Sequence, residues 1–218
     1  MENSGIRLGE HIHTIDRAID GSQPRAYFEN LFVPGEAVLG EVGLGLKYAQ
    51  VRLNPARFTH RTCWLGLARR GLDIALDRTE RRKFFGSPMK ELSLAQELIA
   101  QSVVHMDAPD AIITKTAALL ATDPKAGSGL SSVAKGYCSK AIYRVIHLAI
   151  QFCGGDGVSD SVPLALYLNK VRPLRIRDGA IQTHEWALCR RPSARRAAAV
   201  EAGEPYSAEM CSELAGVH

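Results

Sequence analysis

Several things are scarce in this 218-residue chain, and each scarcity excludes something. Aromatic residues are only 6% of it, and no basic stripe is interleaved with them, so nucleic acid is not an expected partner. Charge of one sign is scarce too: 27 basic residues face 23 acidic ones, a net charge of +4. No apolar run approaches the ~18 residues that span a bilayer. The opening Met1-Glu2-Asn3-Ser4-Gly5 lacks the basic-then-apolar form of a signal peptide, which points to the cytoplasm. The five cysteines, Cys63, Cys138, Cys153, Cys189 and Cys211, form neither a CxxC motif nor an even set. Buried thiols in a reducing compartment are expected rather than disulfides or zinc. His11 and His13 would share one face of a strand, but no third ligand lies nearby, so no metal site is expected.

What is present is apolar patterning. Hydrophobic residues make up 46% of the chain, enough to bury a core. Residues 1–40 read as extended: Ala26-Tyr27-Phe28 and Leu31-Phe32-Val33 are strand-like, and Pro34-Gly35 ends the second run. From about Gly43 the period becomes helical. Trp64, Ala68, Leu72 and Leu76 recur every four residues, and Pro55 suits the first turn of that helix. A second helix starts near Ser93, a candidate cap with Gln96 three residues on. Pro109 should kink or break it. Lys125-Ala126-Gly127-Ser128-Gly129 reads as a loop before a third helix, whose stripe includes Val133, Tyr137, Ala141, Val145 and Phe152. Gly154-Gly155-Asp156-Gly157 stops that helix, and shorter ones follow near Pro163–Asn169 and Ala180–Arg190. The apolar faces must meet in a bundle. Residues 192–218 carry little apolar patterning and read as a disordered tail.

Three short segments carry polar chemistry. Arg82 closes the first long helix just before Phe84-Phe85-Gly86; a guanidinium there is either solvated or placed for a bidentate hold on pyrophosphate. Gln151-Phe152-Cys153-Gly154-Gly155-Asp156-Gly157 offers a side-chain amide and glycines that admit a close ligand, although it is also a plain glycine stop. Asp178-Gly179 precedes the last helix, where Asp178 reads by itself as an N-cap. Gly40-Glu41-Val42-Gly43-Leu44-Gly45 has the glycine order of a dinucleotide fingerprint reversed, which excludes a Rossmann reading.

In this order the segments Arg82-Lys83-Phe84-Phe85-Gly86, Gln151–Gly157 and Asp178-Gly179-Ala180-Ile181-Gln182 resemble the C-terminal part of an acyl-CoA dehydrogenase. The resemblance covers roughly residues 5–190. It implies a mainly α fold: a C-terminal helical bundle over residues 41–191, preceded by a remnant of the middle β-domain over 1–40. It implies FAD as cofactor, with Arg82 and Phe85 matching the family's R-x-x-F-G run on the pyrophosphate. Gln151, Gly154 and Gly155 would contact FAD bound mainly by the adjacent subunit, and Gln182 belongs to the same cofactor set. Asp178 stands where the family carries a glutamate base, as in a branch with Asp-Gly followed by a histidine, here His184. A carboxylate desolvated in such a pocket would be pushed up from ~3.9 toward the working range. Arg57 and Gly179 would lie by the substrate.

The implied reaction is α,β-dehydrogenation of acyl-CoA thioesters in a homodimer or homotetramer, reoxidised by an electron-transfer flavoprotein-like acceptor. The family's N-terminal helical domain and most of its middle domain have no counterpart here, so the expectation is the C-terminal domain or a fragment of such an enzyme. A helical oligomerisation module retaining only subunit contacts is the alternative. His60, His105 and His147 fall on helices without partner spacing and read as ordinary interface or surface residues.

Overall fold

In a computed structural model of the chain, residues 5–16 and 23–204 are described. Strands β1 (Ile6–His11) and β2 (Pro24–Phe28) form an antiparallel ribbon, with Ile6 opposite Phe28 and a register shift between Leu8 and His11. The expected strand at Leu31–Val33 is absent from this ribbon: those residues carry no regular secondary structure, and Phe32 is exposed. Beyond them lies the bundle: α1 (Gly45–Arg81), α2 (Ser93–Thr122), α3 (Pro124–Cys153), α4 (Leu164–Val171) and α5 (Ile181–Glu201). A two-strand hairpin, β3 (Lys83–Phe84) with β4 (Ser87–Pro88), separates α1 from α2.

The helical stripes meet as their spacing requires. Leu65, Ala68 and Leu72 of α1, Met106 and Ile113 of α2, and Cys138, Ile142 and Val145 of α3 make the main core. A second cluster joins Ala75, Ala95, Ala149, Phe152 and Leu164. Helix α3 is the spine, packed on α1, α2, α4 and α5. The buried positions of α2, Ser102, Met106, Pro109, Ile113 and Thr116, alternate four and three apart, a seam of heptad type. Its hydroxyls are satisfied within the helix: Ser102 donates to the Leu98 carbonyl at 2.8 Å and Thr116 to that of Ile112 at 2.7 Å.

Four helix features differ from the sequence expectations. Pro55 lies inside α1, not in its first turn, because helical residues extend back to Gly45. Pro109 does not break α2; it is buried on the seam beside α3, and that packing outweighs the lost backbone bond. The segment 125–129 is helix rather than loop. Asp123 caps α3 by accepting from the Lys125 and Ala126 amides at 3.1 and 3.0 Å, with Pro124 in the first turn. Gly127 serves the packing instead: a β-carbon there would sit 2.7 Å from the Leu120 amide nitrogen. Ser93 starts α2, but its N-cap is Leu92 and no side chain caps it.

Helix α5 also continues through Pro192 to Glu201, so residues 192–201 are not a disordered tail; the rest of that expectation, from residue 205, lies outside the described residues. Among the described cysteines Cys138 and Cys153 are buried as expected, whereas Cys63 and Cys189 are exposed. Among the described residues no helix is long and apolar enough to cross a membrane, and no cluster suits a metal ion.

Candidate active site and cofactor-binding face

The polar segments gather into two clusters, one at the C-terminal end of α1 and one in its N-terminal half. The first is built on the hairpin. Phe85 and Gly86 occupy its two-residue turn with φ of 50° and 87°, the positive values such a turn demands. Phenylalanine is a poor choice for that conformation, and the residue is 99% exposed, its ring tilted 6.5 Å from that of Phe84. Among the neighbouring cations, Arg78 pairs with Asp156 at 2.8 Å and Arg81 with Asp77 at 3.3 Å. Arg82 makes no ion pair with the described residues; its guanidinium lies 4.5 Å from the centre of the Phe84 ring. Gly154 ends α3 with φ of 59°, and a β-carbon there would stand 3.8 Å from Arg82 Nη1. Gly155 faces open space and Gln151 is exposed. A cation, two bare glycines, an amide and an exposed ring thus share one face. Donor chemistry and steric openness both fit a dinucleotide pyrophosphate.

The second cluster is the reverse in character. Asp178 sits in the left-handed region (φ 55°), followed by Gly179 (φ 98°), so the chain turns sharply into α5. Asp178 does not cap α5; the N-cap is Ala180 and no side chain caps it. Instead α1 grips the aspartate twice. Arg57 Nε donates to its backbone carbonyl at 2.7 Å, and His60 Nδ1 lies 2.8 Å from its carboxylate Oδ2. Residues three apart on a helix share a face, which is why one turn supplies both contacts. His60 was expected to be an ordinary interface or surface residue; its partner is 118 residues away in sequence, so no local spacing could reveal it.

Beneath this turn lie buried cations. Lys135 on α3 donates to the Leu174 and Arg177 carbonyls, tying down the segment that leads into Asp178. Burial pulls its ammonium down to about 8, against an opposing pull from Asp178. Arg61 is fully buried, donates to the Ser131 carbonyl at 2.7 Å and hydroxyl at 3.0 Å, and is lowered by burial to about 10. Arg57 is likewise lowered by burial, with Asp178 opposing. His184 on α5 rests against the Ser132 hydroxyl at 3.2 Å. Burial, then the positive charges of Arg57 and Lys135, push its imidazole below the ordinary value, so it is neutral near pH 7. A β-carbon on Gly179 would come within 3.1 Å of His184 Nε2, which makes glycine a requirement there. On the other side Asp16, buried after β1, pairs with Arg177 at 2.5 Å. Gln182 is exposed in the first turn of α5.

The expected residues therefore separate. Arg82, Phe85, Gln151, Gly154 and Gly155 form one group, while Arg57, Asp178 and Gly179 form another, with Gln182 following on α5. At about 1.5 Å per residue, positions 57 and 81 of α1 stand roughly 36 Å apart, so the two groups do not touch one flavin ring. His60, Arg61 and Lys135 went unrecognised in sequence. The only signal was their polar character on otherwise apolar helical faces.

Comparison with known proteins identifies the type of domain. The family model for the C-terminal domain of acyl-CoA dehydrogenases matches residues 43–191. The chain belongs to the acyl-CoA dehydrogenase family. It is 35% identical over 164 residues to the probable acyl-CoA dehydrogenase FadE2 of Mycobacterium tuberculosis, covering 75% of this chain and 40% of that protein. It is 32% identical over 180 residues to the mitochondrial short-chain specific acyl-CoA dehydrogenase of Mus musculus, covering 82% and 43%. Among solved structures, butyryl-CoA dehydrogenase from Megasphaera elsdenii superposes with a TM-score of 0.76 at 25% identity, over 86% of this chain and 48% of that one. The chain thus spans less than half the length of these curated relatives.

Proposed function

We propose that this chain supplies the C-terminal domain of an FAD-dependent acyl-CoA dehydrogenase, with Asp178 as the base that removes the α-proton of an acyl-CoA thioester. The observation that carries this reading is the double grip on Asp178, through its backbone by Arg57 and through its carboxylate by His60. A carboxylate held at both ends above buried cations is preorganised for proton abstraction. Bound FAD would supply the two-electron acceptor for the hydride leaving the β-carbon.

In this reading residues 41–191 are the bundle domain and 1–40 the remnant of a middle β-domain. Arg82, Phe85, Gln151, Gly154 and Gly155 hold the nucleotide of a flavin bound mainly by the next subunit of a homodimer or homotetramer. The length of α1 supports this, because it keeps that face remote from Asp178. Gly179 lets the substrate approach the turn, and Gln182 meets the near flavin. Arg57, expected beside the acyl-CoA, acts first by fixing the Asp178 carbonyl. An electron-transfer flavoprotein-like acceptor would reoxidise the flavin, and the cytoplasm is the compartment we assign.

The test is direct. Purified chain mixed with FAD should turn yellow and bleach when an acyl-CoA is added under anaerobic conditions. One observation favours the second reading, a helical oligomerisation module: Leu39, Val42, Leu46 and Val51 are all exposed apolar residues leading into and along the start of α1. A chain that stays colourless in excess FAD yet forms a stable dimer or tetramer would establish that alternative.

A further inference from the structure

We propose that His60 is a positioning residue for the base: by donating from Nδ1 to Asp178 Oδ2 it locks the carboxylate so that Oδ1 receives the α-proton. This inference rests on the dehydrogenase reading above. Aspartate is one methylene shorter than glutamate, so a base of this length has less reach and less tolerance for a wrong rotamer. The structure compensates from α1. Arg57 fixes where the backbone of residue 178 stands, and His60, one helical turn on, fixes how its side chain turns.

The charged groups facing the turn are otherwise engaged. Lys135 on α3 is committed to the Leu174 and Arg177 carbonyls, and Arg61 on α1 to Ser131. His184 on α5 leans on Ser132 and on the backbone of Asp178, and Arg177 pairs with Asp16. His60 supplies the hydrogen bond to the carboxylate itself, from a side chain 43% exposed against 14% for Asp178. A half-exposed pair of this kind adds little to stability. Its weight falls on orientation, where a misplacement of ~1 Å costs on the order of 100-fold in rate.

In the reaction the α C–H bond breaks and its proton goes to Oδ1. The electron pair left behind closes the carbon–carbon double bond as hydride departs from the β-carbon to the two-electron acceptor. Through the step Oδ2 keeps accepting from His60 Nδ1–H, so the carboxyl proton has one place to reside.

The experiment compares wild type, His60→Leu and His60→Asn, each as full chain with FAD and butyryl-CoA. The inference expects His60→Leu to slow bleaching by about 10- to 100-fold with the acyl-CoA Kd and the melting temperature unchanged. It also expects a larger isotope effect with α-deuterated substrate. His60→Asn, whose amide nitrogen falls near Nδ1, should recover most of the rate. Ring-¹⁵N NMR of the chain without flavin should show His60 protonated on Nδ1, in a tautomer balance that Asp178→Asn disturbs. Equal rates in wild type and His60→Leu, or loss of rate with no recovery by Asn, overturn the inference and leave the dehydrogenase reading standing. Wild-type chain that binds FAD but never bleaches overturns that reading instead, and the inference with it.

Discussion

The two polar clusters along α1 follow opposite plans. Around Asp178 the carbonyl is held by Arg57, the carboxylate by His60, and the preceding carbonyls by Lys135. Around Arg82 the glycines face open space, the ring of Phe85 is exposed and the guanidinium lies over an aromatic face rather than against an acid. One cluster is closed by the fold; the other is left open among the described residues. Preorganisation suits chemistry, where donors must be in place before charge develops. Openness suits a surface whose ligand arrives with another molecule.

The strongest way to break this contrast is Asp178→Asn. It should abolish flavin bleaching by acyl-CoA, a loss on the order of 100- to 10,000-fold, with the circular dichroism spectrum unchanged. A mutant that still bleaches at the wild-type rate would place the base elsewhere. At the open end Arg82→Ala should weaken FAD binding about 30-fold, roughly 2 kcal/mol, by fluorescence titration. Its melting temperature should move little, since Arg82 makes no ion pair with the described residues and loses only its contact with the Phe84 ring. If stability falls instead, that end belongs to the fold after all.

A smaller effect sharpens the comparison through glycine. Gly127→Ala drives a methyl into the backbone of Leu120 and should cost about 1–3 kcal/mol of stability in urea unfolding, with no direct effect on FAD binding. Gly155→Ala should do the reverse, because its added methyl meets nothing in the fold. Smaller still, Phe85→Asn should stabilise the hairpin by about 0.5–1 kcal/mol, as asparagine tolerates positive φ, while weakening flavin binding. The pH dependence is a last check on the closed end. Lys135 titrates near 8 folded but near its ordinary value unfolded, so the unfolded state binds the extra proton between them. Stability should therefore rise as pH climbs from about 8 toward 10.5, and Lys135→Met should flatten that rise in thermal melts.

Much of this was legible in one dimension. The four-residue stripe of Trp64, Ala68, Leu72 and Leu76 announced α1, and the glycines after Phe152 announced where α3 ends. Arg82 and Gly154 were recognisable as motif residues, and the fold does bring them together. The misreadings share a cause. Pro109 was judged by a local rule and overruled by packing, Pro55 was placed too near the start of a helix that reaches back to Gly45, and Gly127 was read as loop when it is a close approach between helices. His60 was passed over because its partner lies beyond the connection of any periodicity.

By itself, then, the sequence determined that this chain makes an acyl-CoA dehydrogenase type of bundle, since helical period and short glycine motifs are local properties written in neighbouring residues. Tertiary structure alone decided which polar residues meet. It set Arg57 and His60 on Asp178, buried Arg61 and Lys135 beneath it, and put the length of α1 between that turn and the Arg82 face. Hydrogen bonds act over about 3 Å, and only the packing of α1, α3 and α5 brings groups more than a hundred residues apart within that range.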